Sequence, residues 1–430
     1  MDRPCNKLGK QISAVQLIGV DKAHQKYKIG EVKMQVPSMY FLDASRYDLP
    51  TITRATLDDS RITLLLSDGA AEFLRYPASD AERTARVEFF KSLRLSEKFY
   101  GDIISLKLSL VSLDSALVAR RMAQTTAVKC FKNVKVLKSF ITCVDKITSL
   151  ECESEIVKNA QNFWGREQRE FIEKMRRDVE KAEEAIDSIG YVNMRLDNTG
   201  FSLIKDNNED NFVDRLARIC SELKVEIPRS SRLTLKLDIA TADALERLYE
   251  DVFKYLRSLL EEYSELPVKE LYKNKREIDF YLEINELVKR AEKSGIPFCY
   301  PENSGIKSFV ARDAYDISLL HKKTESIVPN DITFEGDCGF CFLTGANGGG
   351  KTTYLRTVAI NLILSLCGCP FADPQGCIPL TELSLIFPWM KDSEIREDLW
   401  RSREGSVRCL RGQVRTASFC STKPFRARMT

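Results

Sequence analysis

The chain has 430 residues, of which 43% are hydrophobic and 30% charged. That balance excludes a wholly disordered or fibrous protein, and at ~150 residues per domain the length suggests about three domains. Lys+Arg 65 against Asp+Glu 62 gives only +3, and it is unevenly spread. Residues 401–430 hold seven Arg and one Lys against one Glu, a net +7, so the first 400 residues net −4. The overall basicity therefore gives no ground for reading the whole chain as a nucleic-acid binder.

The opening segment MDRPCNKLGK is polar and reads as no secretory signal. No stretch reaches the ~20 apolar residues of a membrane span; the most apolar helix-length run, Val358 to Leu366, is broken by Asn361 and Ser365. Thirteen scattered Cys, an odd number, read as reduced thiols of a cytoplasmic protein. The two His, His24 and His321, lack metal-ligand spacing with each other or with Cys.

Residues 1–80 read as a small mixed α/β region, with Ile62 to Leu66 before Ser67-Asp68-Gly69 as a strand and turn. From 81 to 300 the pattern is helical. Phe171, Met175, Val179, Ala182, Ile186 and Ile189 fall at steps of three and four, with Gly190 as a cap. A second helix carries Leu245, Leu248, Val252, Leu256, Leu259, Tyr263 and Leu266 and stops at Pro267. A third carries Phe280, Ile284, Leu287 and Ala291. Between the first two, Leu233 to Leu237 alternates like a strand. The charged faces of these helices read as solvated surface.

Near 301 the pattern changes. Ile327 to Thr333 reads as a strand-like piece with a turn, and Phe340 to Thr344 as a compact buried strand. Then come Gly345, Ala346, Asn347, Gly348, Gly349, Gly350, Lys351 and Thr352, followed by a helix with Leu355, Val358, Leu362 and Leu366 on one stripe. This is G-x-x-x-x-G-K-[ST] between a strand and a helix. Glycines let successive N–H groups face phosphate oxygens, and the helix start adds its positive dipole end. Lys351 would reach the β/γ-phosphates of ATP and the Thr352 hydroxyl would ligate Mg²⁺, with Thr353 as an alternative. A lone C-x-x-C at Cys338 to Cys341 has no partner pair, so it reads as part of the strand.

Residues 342–364, FLTGANGGGKTTYLRTVAINLIL, with SIVPNDITF at 326–334 upstream, resemble the ATPase domain of the MutS family of DNA mismatch-repair proteins. The Thr353-Tyr354-Leu355-Arg356 extension makes the match more specific than the phosphate loop alone. The resemblance implies mixed α and α/β architecture: long core and lever helices, 81–300, then a P-loop domain from 301. It implies ATP and Mg²⁺ as cofactors, DNA as partner, a homodimer, no membrane association, and Ile327 against the adenine ring. An ordinary core role for Ile327 stands beside that reading.

Two departures accompany the resemblance. The family's mismatch-reading N-terminal domain and connector have no counterpart, and Phe171-Ile172-Glu173, which looks like the mismatch wedge, lies inside a helical stripe. Nor does a Walker B strand, an apolar run ending in an acid, occur in the 78 residues after Thr352. The P-loop domain is thus expected to be incomplete, 301–387, followed by an aberrant basic tail, 388–430. A shift of frame near Phe387 permits MDERLGNTGRLVEEQG from the codons of Pro388 to Glu404 and FLLLNETFSGTDD from those of Ser418 onward. These strings resemble the family's acidic stretch and Walker B strand. Two readings follow: a MutS-related DNA-binding ATPase, or a non-catalytic truncated fragment with an incomplete nucleotide site. A chromosome-structure ATPase is disfavoured, because its phosphate loop precedes its long helices.

Overall fold

A computed structural model describes residues 36–42, 52, 54–189, 192–197, 200–205, 239–301, 309–322, 327–334, 343 and 348–372. These are mostly helical, with two antiparallel two-stranded hairpins. Leu233 to Leu237, the Cys338 to Cys341 pair, most of the 340–344 run, Gly345 to Asn347 and the whole tail lie outside the described residues.

The chain enters through α1 (Arg54–Ser60), a 3-10 turn (Ile62–Leu64) and α2 (Asp68–Phe73). The expected strand at Ile62 to Leu66 is therefore a helical turn. Ser60 Oγ donates to the Leu57 carbonyl at 2.7 Å, and Arg61 adopts φ +64, which turns the chain before a strand can extend. Ile62 and Leu66 are then buried while Leu64 is exposed, which is the i, i+4 pattern of a turn.

Helix α3 (Asp80–Leu95) opens with a capping box: Glu82 N–H donates to Ser79 Oγ, and Ser79 N–H donates back to Glu82 Oε2 at 2.9 Å. Helices α4 (Glu97–Arg121) and α5 (Thr126–Thr148) form a long hairpin, capped at their starts by Ser96 and Thr125. The buried seam of α4 is Phe99, Ile103, Leu106, Leu110, Leu113 and Leu117, spaced four and three alternately. Each such side chain contributes about 1.5–3 kcal/mol when fully buried. Lys146 of α5 crosses to α4, donating to Ser105 Oγ at 2.6 Å and Ser109 Oγ at 2.7 Å.

After α6 (Glu155–Asn162) and a π turn (Phe163–Glu167), α7 (Arg169–Asp187) leads into a hairpin of β1 (Val192–Asp197) and β2 (Gly200–Lys205). The chain returns through α8 (Ile239–Leu248) and α9 (Glu250–Glu262). The single helix expected through 245–266 is thus broken at Tyr249, whose φ −126 and ψ 49 leave the helical region. Its hydroxyl donates to the Ile189 carbonyl at 2.6 Å, an external bond that competes with straight packing. Tyr255 OH donates to the Asp178 carbonyl and Tyr263 OH to Asp178 Oδ2 at 2.7 Å. Partners of Tyr249 to Tyr263 descend from 189 to 178, so α7 and the returning pair run antiparallel. Phe171 packs half-buried near Tyr263 and Ile172 is buried, while Glu173 is exposed and pairs with Arg169, so the two apolar residues of the Phe-x-Glu triplet serve the helical core.

Helix α10 (Val268–Lys293) then runs back beneath α4, α2 and α3. An aromatic cluster joins them. Phe89 stacks on Tyr281 with centroids 4.0 Å apart, and Tyr40 meets Phe73 and Phe280 at 4.8 and 5.1 Å. The second hairpin pairs β3 (Phe309–Ala314) with β4 (Asn330–Phe334), bulged between Ala311 and Ala314. Asp313 takes φ +55 at the bulge, and its N–H donates to Asp331 Oδ1 at 3.0 Å. Helix α11 (Lys351–Leu366) follows, and the described chain ends at Ala372 after Phe371 bridges antiparallel to Cys299.

Candidate nucleotide-binding loop

Of the glycine-rich loop, residues 348–352 are described. Gly348 and Gly350 adopt φ +82 and +78. A Cβ at either would meet nothing within 4 Å, so the requirement is conformational, not steric. Gly350 is the N-cap of α11 and Lys351 its first residue. Tyr354 N–H donates to the Gly350 carbonyl at 2.9 Å, closing the first turn.

Gly350 has no side chain with which to cap this helix start, and no acid lies in the first turn. The positive dipole end is therefore not neutralised from within α11. Gly348, Gly349 and Gly350 are exposed, while Lys351, Thr352 and Thr353 are half-buried. This donor set suits an anionic phosphate. Among the described residues no cluster of His, Cys, Asp and Glu could hold a metal by itself.

The helix start is braced from two sides. Tyr354 OH donates to the Asp331 carbonyl of β4 at 3.1 Å. Arg356 Nε donates to the Asp59 carbonyl at the end of α1 at 3.3 Å. The TYLR extension thus ties the loop to the second hairpin and to the helical body. Ile327 lies just before β4, not within it, half-buried against the core. Leu343, from the expected strand leading into the loop, is half-buried.

The sequence flagged Asn361 only as a break in an apolar run. It is buried, and its amide satisfies three main-chain groups: Nδ2 donates to Tyr315 O and Thr357 O at 3.1 and 2.8 Å, and Oδ1 accepts from Ala372 N at 2.8 Å. A polar residue amid a buried helical run was the available signal. At the far end Cys367-Gly368-Cys369 terminates α11, with Gly368 at φ +72.

These features define a largely helical protein in which a helix with a glycine N-cap, Lys351–Leu366, buries its last ten residues in the body. No family model matches the chain. It is similar to the DNA mismatch repair protein MutS of Orientia tsutsugamushi (strain Boryong), 37% identical over 75 residues, which is 17% of this chain and 8% of that protein. It is similar to the DNA mismatch repair protein MSH3 of Kluyveromyces lactis, 28% identical over 144 residues, 33% of this chain and 13% of the relative. MutS of Shouchella clausii is 26% identical over 164 residues, 36% of this chain and 17% of the relative. The chain thus covers less than a fifth of the length of these relatives. Together the matches support a MutS-related family. Among the described residues no helix is long and apolar enough to cross a membrane.

Proposed function

We propose that this chain is a MutS-related, DNA-associated P-loop protein. It binds ATP with Mg²⁺ at Gly345 to Thr352, and nucleotide occupancy alters how the helical region clasps DNA. The observation that carries this reading is the start of α11: glycine backbone at φ +82 and +78, a glycine N-cap with no acid in the first turn, and Lys351 and Thr352 in that turn. Lys351 would neutralise the β/γ-phosphates, and the first N–H groups of α11 would face their oxygens. The Thr352 hydroxyl would hold Mg²⁺, which offsets phosphate charge when bound. The paired helices α7 and α8–α9, with the β1–β2 hairpin at their far end, suit a lever reaching around a duplex. By this reading the protein acts as a homodimer in DNA mismatch repair or a related DNA transaction, in the cytoplasm.

The second reading is a non-catalytic protein with an incomplete nucleotide site, since residues 353–430 hold no apolar run ending in an acid. A frame shift near Phe387 would account for that lack. Binding of a fluorescent ATP analogue with Mg²⁺, compared between this chain and Lys351→Ala, separates the two. Binding lost in the variant supports a nucleotide-switched protein. Equal or absent binding in both refutes it, and transcript reads spanning 388–430 then test the frame.

A further inference from the structure

The C-terminal end of α11 is held as deliberately as its start. Arg86 of α3 is fully buried. Its Nη1 donates to the Cys367 carbonyl at 3.0 Å and its Nε to the Tyr40 carbonyl at 3.1 Å. The guanidinium lies 3.5 Å from the centre of the Tyr40 ring. Its bonded acceptors are main-chain carbonyls, so its charge is met by the negative end of the α11 dipole and by an aromatic face. A hydrophobic residue would fill this space without the cost of burying a charge. What the arginine adds is a rigid, directional join between α3, the 36–42 segment and α11.

The join continues beyond Tyr40. Tyr40 N–H and Phe41 N–H donate to Ser38 Oγ at 3.0 and 2.9 Å. Ser38 Oγ and Met39 N–H donate in turn to the buried Glu277 carboxylate of α10, at 2.7 and 2.6 Å. Two further bonds pin the same helix end: Ala78 N–H donates to the Leu366 carbonyl at 2.8 Å, and Cys367 Sγ to the Leu74 carbonyl at 3.4 Å. Residues 357–366 of α11 are all buried, so the helix is gripped along its last turns. Its 16 residues span about 24 Å, which is the distance from the phosphate end to the clasp. Among the described residues Arg86 Nη2 has no acceptor.

We propose that Arg86 is a positioning residue that clasps the C-terminal end of the phosphate-loop helix and, through Tyr40, Ser38 and Glu277, delivers its nucleotide-dependent movement to α10. This rests on the reading that Gly345 to Thr352 binds ATP. It names the route by which that site acts on the helical body.

The test combines nucleotide binding with amide hydrogen exchange on the full chain. Exchange of residues 36–42 and of α10 is followed with and without the Mg²⁺-bound fluorescent ATP analogue. Four proteins are compared: the parent, Lys351→Ala, Arg86→Lys and Ser38→Ala. In the parent the analogue changes exchange at Met39, Tyr40 and Phe41 by about fivefold or more, the lower range of coupling between sites. Lys351→Ala abolishes both binding and response. Arg86→Lys keeps the charge but loses the fork; Ser38→Ala removes one hydroxyl far from the loop. Both bind the analogue as the parent does and lose the response at 36–42. A response that survives in both variants overturns the proposal. So does a loss of analogue binding in Arg86→Lys with a normal response in Ser38→Ala, which makes Arg86 a support of the loop alone. A parent that does not bind the analogue refutes the nucleotide reading itself, and with it the proposal. A parent that binds but shows no response refutes only the proposed route.

Discussion

Three glycines separate backbone strain from steric approach, and alanine at each gives a different result. At Gly368, φ is +72, and a Cβ would sit 3.2 Å from Arg83 Cα, 3.2 Å from Arg86 Cβ and 3.3 Å from the Arg83 carbonyl. These are atoms of the α3 backbone or next to it, so no flexible side chain can yield. The left-handed conformation costs alanine about 1–2 kcal/mol and overpacking a further 1–3, so Gly368→Ala should lose roughly 2–5 kcal/mol. At Gly350, φ is +78 but the space is open, so only the conformational cost of about 1–2 kcal/mol applies. Gly101 is exposed inside α4 with nothing within 4 Å and no positive φ, so alanine there should gain about 0.5–1 kcal/mol. Urea unfolding followed by circular dichroism ranks the midpoints: Gly101→Ala above the parent, then Gly350→Ala, then Gly368→Ala. If Gly368→Ala loses no more than Gly350→Ala, the close docking of the α11 end on α3 is refuted.

Two further outcomes follow from buried titrating groups. Burial pushes the Cys130 thiol up to about 11 and those of Cys143 and Cys367 up to about 12; Cys369 is raised as well. All four should resist maleimide at pH 8 in the folded protein and react on unfolding, and mass spectrometry of labelled peptides checks this. Burial also raises the Asp316 carboxyl, against the opposing bonds from Ser318 N–H and Oγ–H, each to Oδ1. Between its unfolded and folded values the folded state binds more protons, so this group's contribution falls as pH rises. Asp316→Asn keeps an acceptor for Ser318 and should be more stable than the parent at pH 7, with the gain shrinking as the pH approaches the unfolded aspartate value. A gain independent of pH would refute the assignment.

Much of the helical architecture was legible in one dimension. The stripe from Phe171 to Ile189 and the one around Phe280 mark α7 and α10, because a 3.6-residue period needs only local sequence to declare a buried face. Boundaries were less legible. The break at Tyr249 depends on a hydroxyl reaching Ile189, 60 residues away. The turn at Ile62 depends on Arg61 at φ +64, which no apolar pattern announces. Short apolar runs serve helical turns and strands equally well, so the strand expected at Ile62 to Leu66 is in fact a 3-10 turn.

For the site, residue types and spacing alone announced a glycine-rich turn followed by a helix, and the structure has Gly350 as N-cap of α11 at φ +78, because a glycine turn before an apolar stripe is a local property of the chain. Tertiary structure decided what holds that helix. Tyr354 meets Asp331, Arg356 meets Asp59, Asn361 joins Tyr315 to Ala372, and Arg86 closes on Cys367 across 281 positions of chain. Such bonds link groups whose need for partners is written in the sequence, because a buried donor or acceptor must be satisfied. Which partner satisfies it is fixed only when packing brings distant segments within hydrogen-bond reach.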